Sequence, residues 1–195
     1  EALSNNSGFT IDGGNGTLFI RSYANGVPLQ KNASFCTVFN LSSSNNCTIK
    51  NIKIKTLRDR DNGVDAYTGT NPPLSSSDSY LRCFRFGSSS TNINIVNVHI
   101  QGFNMDMEAR SSNPTNILFK NYTAIDGWQN HICGRNIVFD NCKIVQRPFA
   151  GVGMHIFYNQ TSGTSVVDVK FIDCLLKQAD GYGSVAYTCH GITTS

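Results

Sequence analysis

The sequence predicts an all-β protein, a solenoid whose short strands stack coil upon coil. Three observations predict it. An apolar frame recurs five times with polar residues in fixed places, each half of it alternates with a period of two, and no stretch shows the periodicity of a helix.

The frame reads Asn, apolar, x, apolar, x, Asn, apolar, x, apolar. Its copies are "NCTIKNIKI" at 46–54, "NINIVNVHI" at 92–100, "NILFKNYTA" at 116–124, "NIVFDNCKI" at 136–144 and "DVKFIDCLL" at 168–176. The leading polar residue is Asn46, Asn92, Asn116, Asn136 or Asp168, and the central one is Asn51, Asn97, Asn121, Asn141 or Asp173. Apolar side chains stand at −4 and −2 before the centre and at +1 and +3 after it. A straight strand would put those two pairs on opposite faces. Both face one core only if the chain turns a corner at the central residue. Asn suits such a corner, because it tolerates the left-handed backbone conformation and bonds nearby backbone with its side chain.

Successive centres lie 46, 24, 20 and 32 residues apart. The short spacings suit one coil of three short strands, and the long ones suit a coil carrying an inserted loop. Third strands are predicted at 35–41, 80–86, 105–109, 131–133, 154–158 and 184–188, joined to the frames by Ser-rich turns such as "SSSNN" and "GSSST". The longest insertion is 57–79, and the whole chain, 1–195, reads as a single domain.

Composition excludes several classes of partner. The 195 residues are 39% hydrophobic with a formal charge of +3. Arg58, Arg60, Arg82 and Arg85 come nearest to a basic cluster, each close to an Asp or an aromatic residue, so no nucleic-acid footprint is expected. No apolar run is long enough to span a membrane, and no signal peptide opens the chain. The seven cysteines lack metal-site spacing and read as small buried hydrophobes. Cys142 and Cys174 share the +1 position of the frame and are expected to stack as free thiols, since parallel stacked side chains are poorly aimed for a disulfide. Asn-x-Ser/Thr triplets begin at Asn5, Asn15, Asn32, Asn40, Asn46, Asn121 and Asn159. The frame makes Asn46 and Asn121 ladder residues, expected to be buried and unglycosylated.

"FTIDGGNGT" at 9–17 followed by "FNLSSSNNCTIKNIKI" at 39–54 resembles the opening coils of single-stranded right-handed parallel β-helix proteins of the pectin-lyase-like class. The aligned Asn positions resemble the asparagine ladder of that class. The resemblance covers nearly the whole chain and implies a segment of a longer solenoid, with ends that need capping by further chain or by partner subunits. It also implies that glycans bind along the third-strand face. The Asn-Thr-Asp, Asp-Asp and Gly-His-Gly motifs of polygalacturonases are not present in the expected order, and the calcium-carboxylate pattern of pectate lyases is not clear. What remains is similar to bacteriophage tailspike and appendage proteins, usually trimeric, which bind and cut cell-surface polysaccharide.

Candidate chemistry therefore sits on the third strands. With Met105, Met107 and Ala109 inward, Asp106 and Glu108 face out together, their Cα atoms about 6.5–7 Å apart. Two carboxylates at such a separation suit glycoside hydrolysis. His131, one coil on, would shuttle protons, and Arg85, one coil back, would bind an acidic sugar together with Arg82. His155, Trp128, Tyr67 and Arg147 complete the expected binding surface, the aromatics by stacking on sugar rings. Outward strand residues must be polar on any solenoid, so a merely solvated role stands beside each of these assignments. No cofactor is required. Asp59, Asp61 and Asp65 form a loose calcium-loop pattern as the alternative, although Gly63 is one place early and no closing Glu follows.

The expectation is thus a tailspike-like β-helix, extracellular or on a virion surface and homotrimeric, that binds and hydrolyses a polysaccharide. Two alternatives differ in kind. One is a non-catalytic glycan-binding adhesin or virion component. The other is a polysaccharide lyase, with His131 or Arg85 as base and calcium at the three aspartates.

Overall fold

The computed structural model describes residues 7–20, 23–24, 27–28, 36–56, 81–103, 105–109, 113–127, 129–146, 157–160, 167–177 and 187–190. Their strands, in chain order, are β1 (Thr10–Ile20), β2 (Tyr23–Ala24), β3 (Val27–Pro28), β4 (Cys36–Asn40), β5 (Asn45–Thr56) and β6 (Leu81–Arg85). There follow β7 (Thr91–Gln101), β8 (Met105–Glu108), β9 (Thr115–Lys120), β10 (Thr123–Gly127), β11 (Gln129–His131) and β12 (Gly134–Asp140). The last are β13 (Lys143–Gln146), β14 (Phe157–Gln160), β15 (Val167–Ile172), β16 (Leu175–Lys177) and β17 (Tyr187–His190). The insertion at 57–79 lies outside the described residues. Among those described, no helix is long and apolar enough to cross a membrane.

Apart from the short antiparallel pair β2–β3, the described pairings are parallel. The third strands form a six-stranded sheet in the order β17-β14-β11-β8-β6-β4. The frames make a second sheet, in which β5 and β7 run unbroken through the corner. In later copies the chain divides at the corner into β9 and β10, β12 and β13, and β15 and β16. Parallel pairing of each element with its counterpart, an all-β build and stacked asparagines are the features a parallel β-helix has. Three predicted third strands are displaced: β11 lies towards the N-terminus, ending at His131 where the predicted strand began, while β14 and β17 run on to Gln160 and His190, each two residues past the predicted end. Pairing along the backbone, not apolarity, sets these boundaries.

The five copies stack in register. Ile49 pairs with Ile95, then Phe119, Phe139 and Phe171, and Ile54 with Ile100, then Ala124, Ile144 and Leu176. Both halves turn their apolar side chains inward: Ile93, Ile95, Val98 and Ile100 are fully buried, as are Phe119, Tyr122 and Ala124. Stacked rings fill the interior, Phe119 on Phe139 at 4.6 Å between centroids and Phe139 on Phe171 at 5.1 Å. Phe39 stacks on Phe84 at 5.5 Å. Such pairs contribute about 0.5–1.5 kcal/mol each beyond their buried area.

The phase change occurs where expected. Asn51, Asn97, Asn121, Asn141 and Asp173 have φ between 50° and 54°. The leading residues Asn46, Asn92, Asn116 and Asn136 are left-handed too, at 53–58°, so most frames begin on a second corner that the sequence reading did not foresee. From the second coil on, the corner asparagines donate from the amide to the preceding coil. In the leading column Asn92 Nδ2 donates to Asn46 Oδ1, Asn116 to Asn92 and Asn136 to Asn116, all at 2.9 Å. In the central column Asn51 donates to Asp12 at 3.1 Å, Asn97 to Asn51 at 3.0 Å, and Asn121 to Asn97 and Asn141 to Asn121 at 2.8 Å.

The ladders lie on the outside, and this corrects the expectation that Asn46 and Asn121 are buried. Both are exposed. Turning the flanking apolar residues inward leaves the corner side chain pointing away from the core. Asn121 nevertheless commits its amide to the ladder on both sides.

Cys142 and Cys174 are free thiols, as expected. The Cys142 Sγ approaches the carbonyls of Phe119 and Asp140, and that of Cys174 the carbonyls of Phe139 and Ile172. Burial pushes the Cys142 thiol up to about 12, the neighbouring Cys174 adding to the rise. Cys47, Cys83 and Cys133 are buried as well, in keeping with small core residues.

Asp173 occupies a corner but lacks the amide N–H that an asparagine would give Asn141 Oδ1. Asp173→Asn is therefore expected to add a rung worth about 0.5–1 kcal/mol and to raise the thermal midpoint by about 2–4 °C. An unchanged or lower midpoint would show that the rungs contribute nothing net.

Candidate functional site

The six-stranded sheet brings several predicted residues into one row. Parallel pairing sets Asn40 beside Arg85, Arg85 beside Glu108, Glu108 beside His131, and His131 beside Tyr158. Backbone bonds hold these strands at their ends: Leu41 N donates to Arg85 O, Phe86 N to Glu108 O and Ala109 N to His131 O, each at 2.8 Å. Phe84 and Met107, the preceding residues, pair with each other and are buried in the core. Arg85, which follows Phe84, is the exposed member of this row.

Side-chain environments along the row differ. Arg85 is exposed, whereas Glu108 and His131 are 7% and 3% exposed. The sequence reading set both on a solvated face, and the difference has a physical cause. The Arg82 guanidinium, itself 3% exposed, forms an ion pair with the Glu108 carboxylate. A buried carboxylate is tolerable only when it is paired or hydrogen-bonded in this way. Arg82, expected to meet substrate, instead holds a candidate catalytic group.

The pairing of β8 with β11 is also irregular. Four residues of β8, Met105 to Glu108, stand against three of β11, Gln129 to His131. Asn130 sits at this irregularity, 1% exposed, and its Oδ1 accepts from Met107 N at 3.2 Å. Its Nδ2 has no hydrogen-bond partner. Sequence reasoning passed over Asn130, because its only signal was a polar residue beside His131 on a short strand. Asp106 lies on β8 within the irregular stretch, and its side chain lies outside the described residues. Tyr67, Trp128, Arg147, His155, Asp59, Asp61 and Asp65 all lie outside them too. Among the described residues no group of three His, Cys, Asp or Glu side chains could hold a metal ion.

The outer faces of the frames carry the remaining charge. On the half before the corner, lysines meet acids: Lys50 pairs with Asp12 at 3.2 Å and Lys120 with Asp140 at 2.7 Å. The Asp12 carboxyl is held below its usual range by the Gly14 N–H, then by the Asn51 amide and Lys50. On the half after the corner, half-buried His99 stands among Lys55, Lys53 and Lys143. Burial, then those lysines in that order, push its imidazole below 6.5.

Comparison of the chain with protein-family models, with curated proteins and with solved structures returned no match.

Truncating Arg82 to Met leaves Glu108 charged and buried, at an expected cost of about 3–5 kcal/mol in urea unfolding. Adding Glu108→Gln removes the stranded charge and is expected to recover most of that loss; a double variant as unstable as the single would deny the pair this role. His99 gives a pH signature. Its folded value lies below that of the unfolded chain, so its contribution is complete above about pH 6.5 and is lost as pH falls through the folded value. The His99 resonances are expected to titrate below 6.5, and to move up towards it in Lys55→Gln.

Proposed function

We propose that the chain is a segment of a right-handed, single-stranded parallel β-helix of the pectin-lyase-like kind, with three-strand coils. In this reading it works like a bacteriophage tailspike, as a homotrimer on a virion or otherwise outside the cell, binding a surface polysaccharide and hydrolysing it. The observation that carries the reading is the row of Arg85, Glu108 and His131 on neighbouring strands of one sheet. A row running from coil to coil presents one set of groups to successive units of a linear polymer. Right-handedness is supported by the near-universal hand of parallel crossover connections.

The Arg82 pair suggests how the work divides. Held against a guanidinium, the Glu108 carboxylate accepts hydrogen bonds and donates none, which fits a base or nucleophile. The acid role then falls to Asp106 on the same strand, with His131 relaying protons. Adjacent carboxylates about 5–5.5 Å apart give retention, and wider ones leave room for a water. Exposed Arg85 is placed to bind an acidic substituent on the sugar.

A second reading has an observation in its favour. Burial of both Glu108 and His131 suits a structural ion-pair cluster beneath a purely binding surface, as in an adhesin.

Incubating the protein with surface polysaccharides of candidate hosts separates these readings through reducing-end release. The parent is expected to cut one of them, and Asp106→Asn and Glu108→Gln to slow it by about a hundredfold or more. Variants as fast as the parent refute the site, and a glycan bound but left intact makes the protein an adhesin. A product with an unsaturated sugar, formed only with calcium, would replace hydrolysis by the lyase reaction.

A further inference from the structure

The outer face of the half-frames after the corner carries charge that no described residue beside it neutralises. In register, Lys53 pairs with His99, His99 with Thr123 and Thr123 with Lys143, three strand spacings or about 14 Å from one lysine to the other. Lys55 projects from the same face two residues beyond Lys53. These three lysines are near enough to depress His99, and none of them forms an ion pair with a described residue. The contrast with the half before the corner is internal to the molecule, since there Asp12 and Asp140 answer Lys50 and Lys120.

Beside this cationic row runs a shallow recess lined by Lys53, His99 and Thr123 on one side and by Asn51, Asn97 and Asn121 on the other. Each ladder amide spends one N–H on its neighbour, and an Nδ2 carries two, so a second donor remains at every rung. The recess thus offers donors at the sheet spacing, flanked by point charges.

We infer that this face binds an anionic polysaccharide, its carboxylate or sulfate groups against Lys53, Lys55 and Lys143 and its hydroxyls against the ladder amides, Thr123 and His99. Lysines supply compact single charges suited to separated anionic groups, whereas phosphate recognition favours the paired donors of arginine, which this row lacks. The site is distinct from the six-stranded sheet and does not depend on the hydrolase reading, so Asp106→Asn and Glu108→Gln should leave it intact.

The test compares retention of the protein in gels containing dextran sulfate, alginate or uncharged dextran. The parent is expected to bind the two charged polymers and not dextran, less tightly as salt rises. Lys53→Gln, Lys55→Gln and Lys143→Gln together should weaken binding by about tenfold or more, as the loss of three surface ion pairs allows. A triple variant at Lys50, Lys120 and Lys170 removes the same formal charge from the neighbouring face and should stay within about twofold of the parent. All six are surface lysines, and far-ultraviolet circular dichroism confirms that each variant is folded. Equal weakening in both variants would reduce the effect to net charge and overturn the site. Retention unchanged in the first variant would overturn it as well. Tighter binding of a duplex DNA than of either charged polymer would overturn the sugar assignment.

Discussion

The backbone turn at the corner asparagine is the constraint on which everything else depends. A strand that continued straight would send half of each frame's apolar residues into solvent. One left-handed residue reverses the phase, so Phe119 and Tyr122, on either side of Asn121, enter the same interior. For most residues that conformation costs roughly 1–2 kcal/mol, and Asn reduces the cost while its outward amide gains a partner one coil away. The same turn fixes the register, because a coil that slipped by one residue would lose both its corner and its rung.

Given that register, the three outer surfaces differ in how they treat charge. The six-stranded sheet withdraws a carboxylate and a guanidinium from water and pairs them. The half-frames before the corner keep charge at the surface and balance it. Those after the corner leave it unbalanced among the described residues, with a histidine whose imidazole is pushed down by burial and by the lysines around it. One repeated backbone therefore carries three electrostatic settings, since its outward positions are free of the packing rule that governs the inward ones.

That division also explains what the sequence made legible. Inward residues obey a period that can be read directly, so the frames, the corners and the free thiols of Cys142 and Cys174 followed from spacing alone. The leading corners escaped notice, because the residues before Asn92 or Asn116 carry no alternation against which a phase change would show. The third strands were placed, but with ends off by two residues at β11, β14 and β17, where short stretches pair through the backbone. In the candidate site, the row of Arg85, Glu108 and His131 was legible from coil stacking. The burial of Glu108 was not, because it depends on the Arg82 side chain reaching across strands. No periodicity encodes such a reach. Asn130 was missed for a similar reason: its bond to Met107 arises at an irregularity between β8 and β11 that only pairing reveals.

The asparagine columns also give the solenoid an arrow. Each of these amides passes its hydrogen towards the N-terminal coil, so a column has a direction. Asp12, which can only accept, sits where the central column ends in acceptance. The corner thus sets the polarity of each column as well as the shape of one coil.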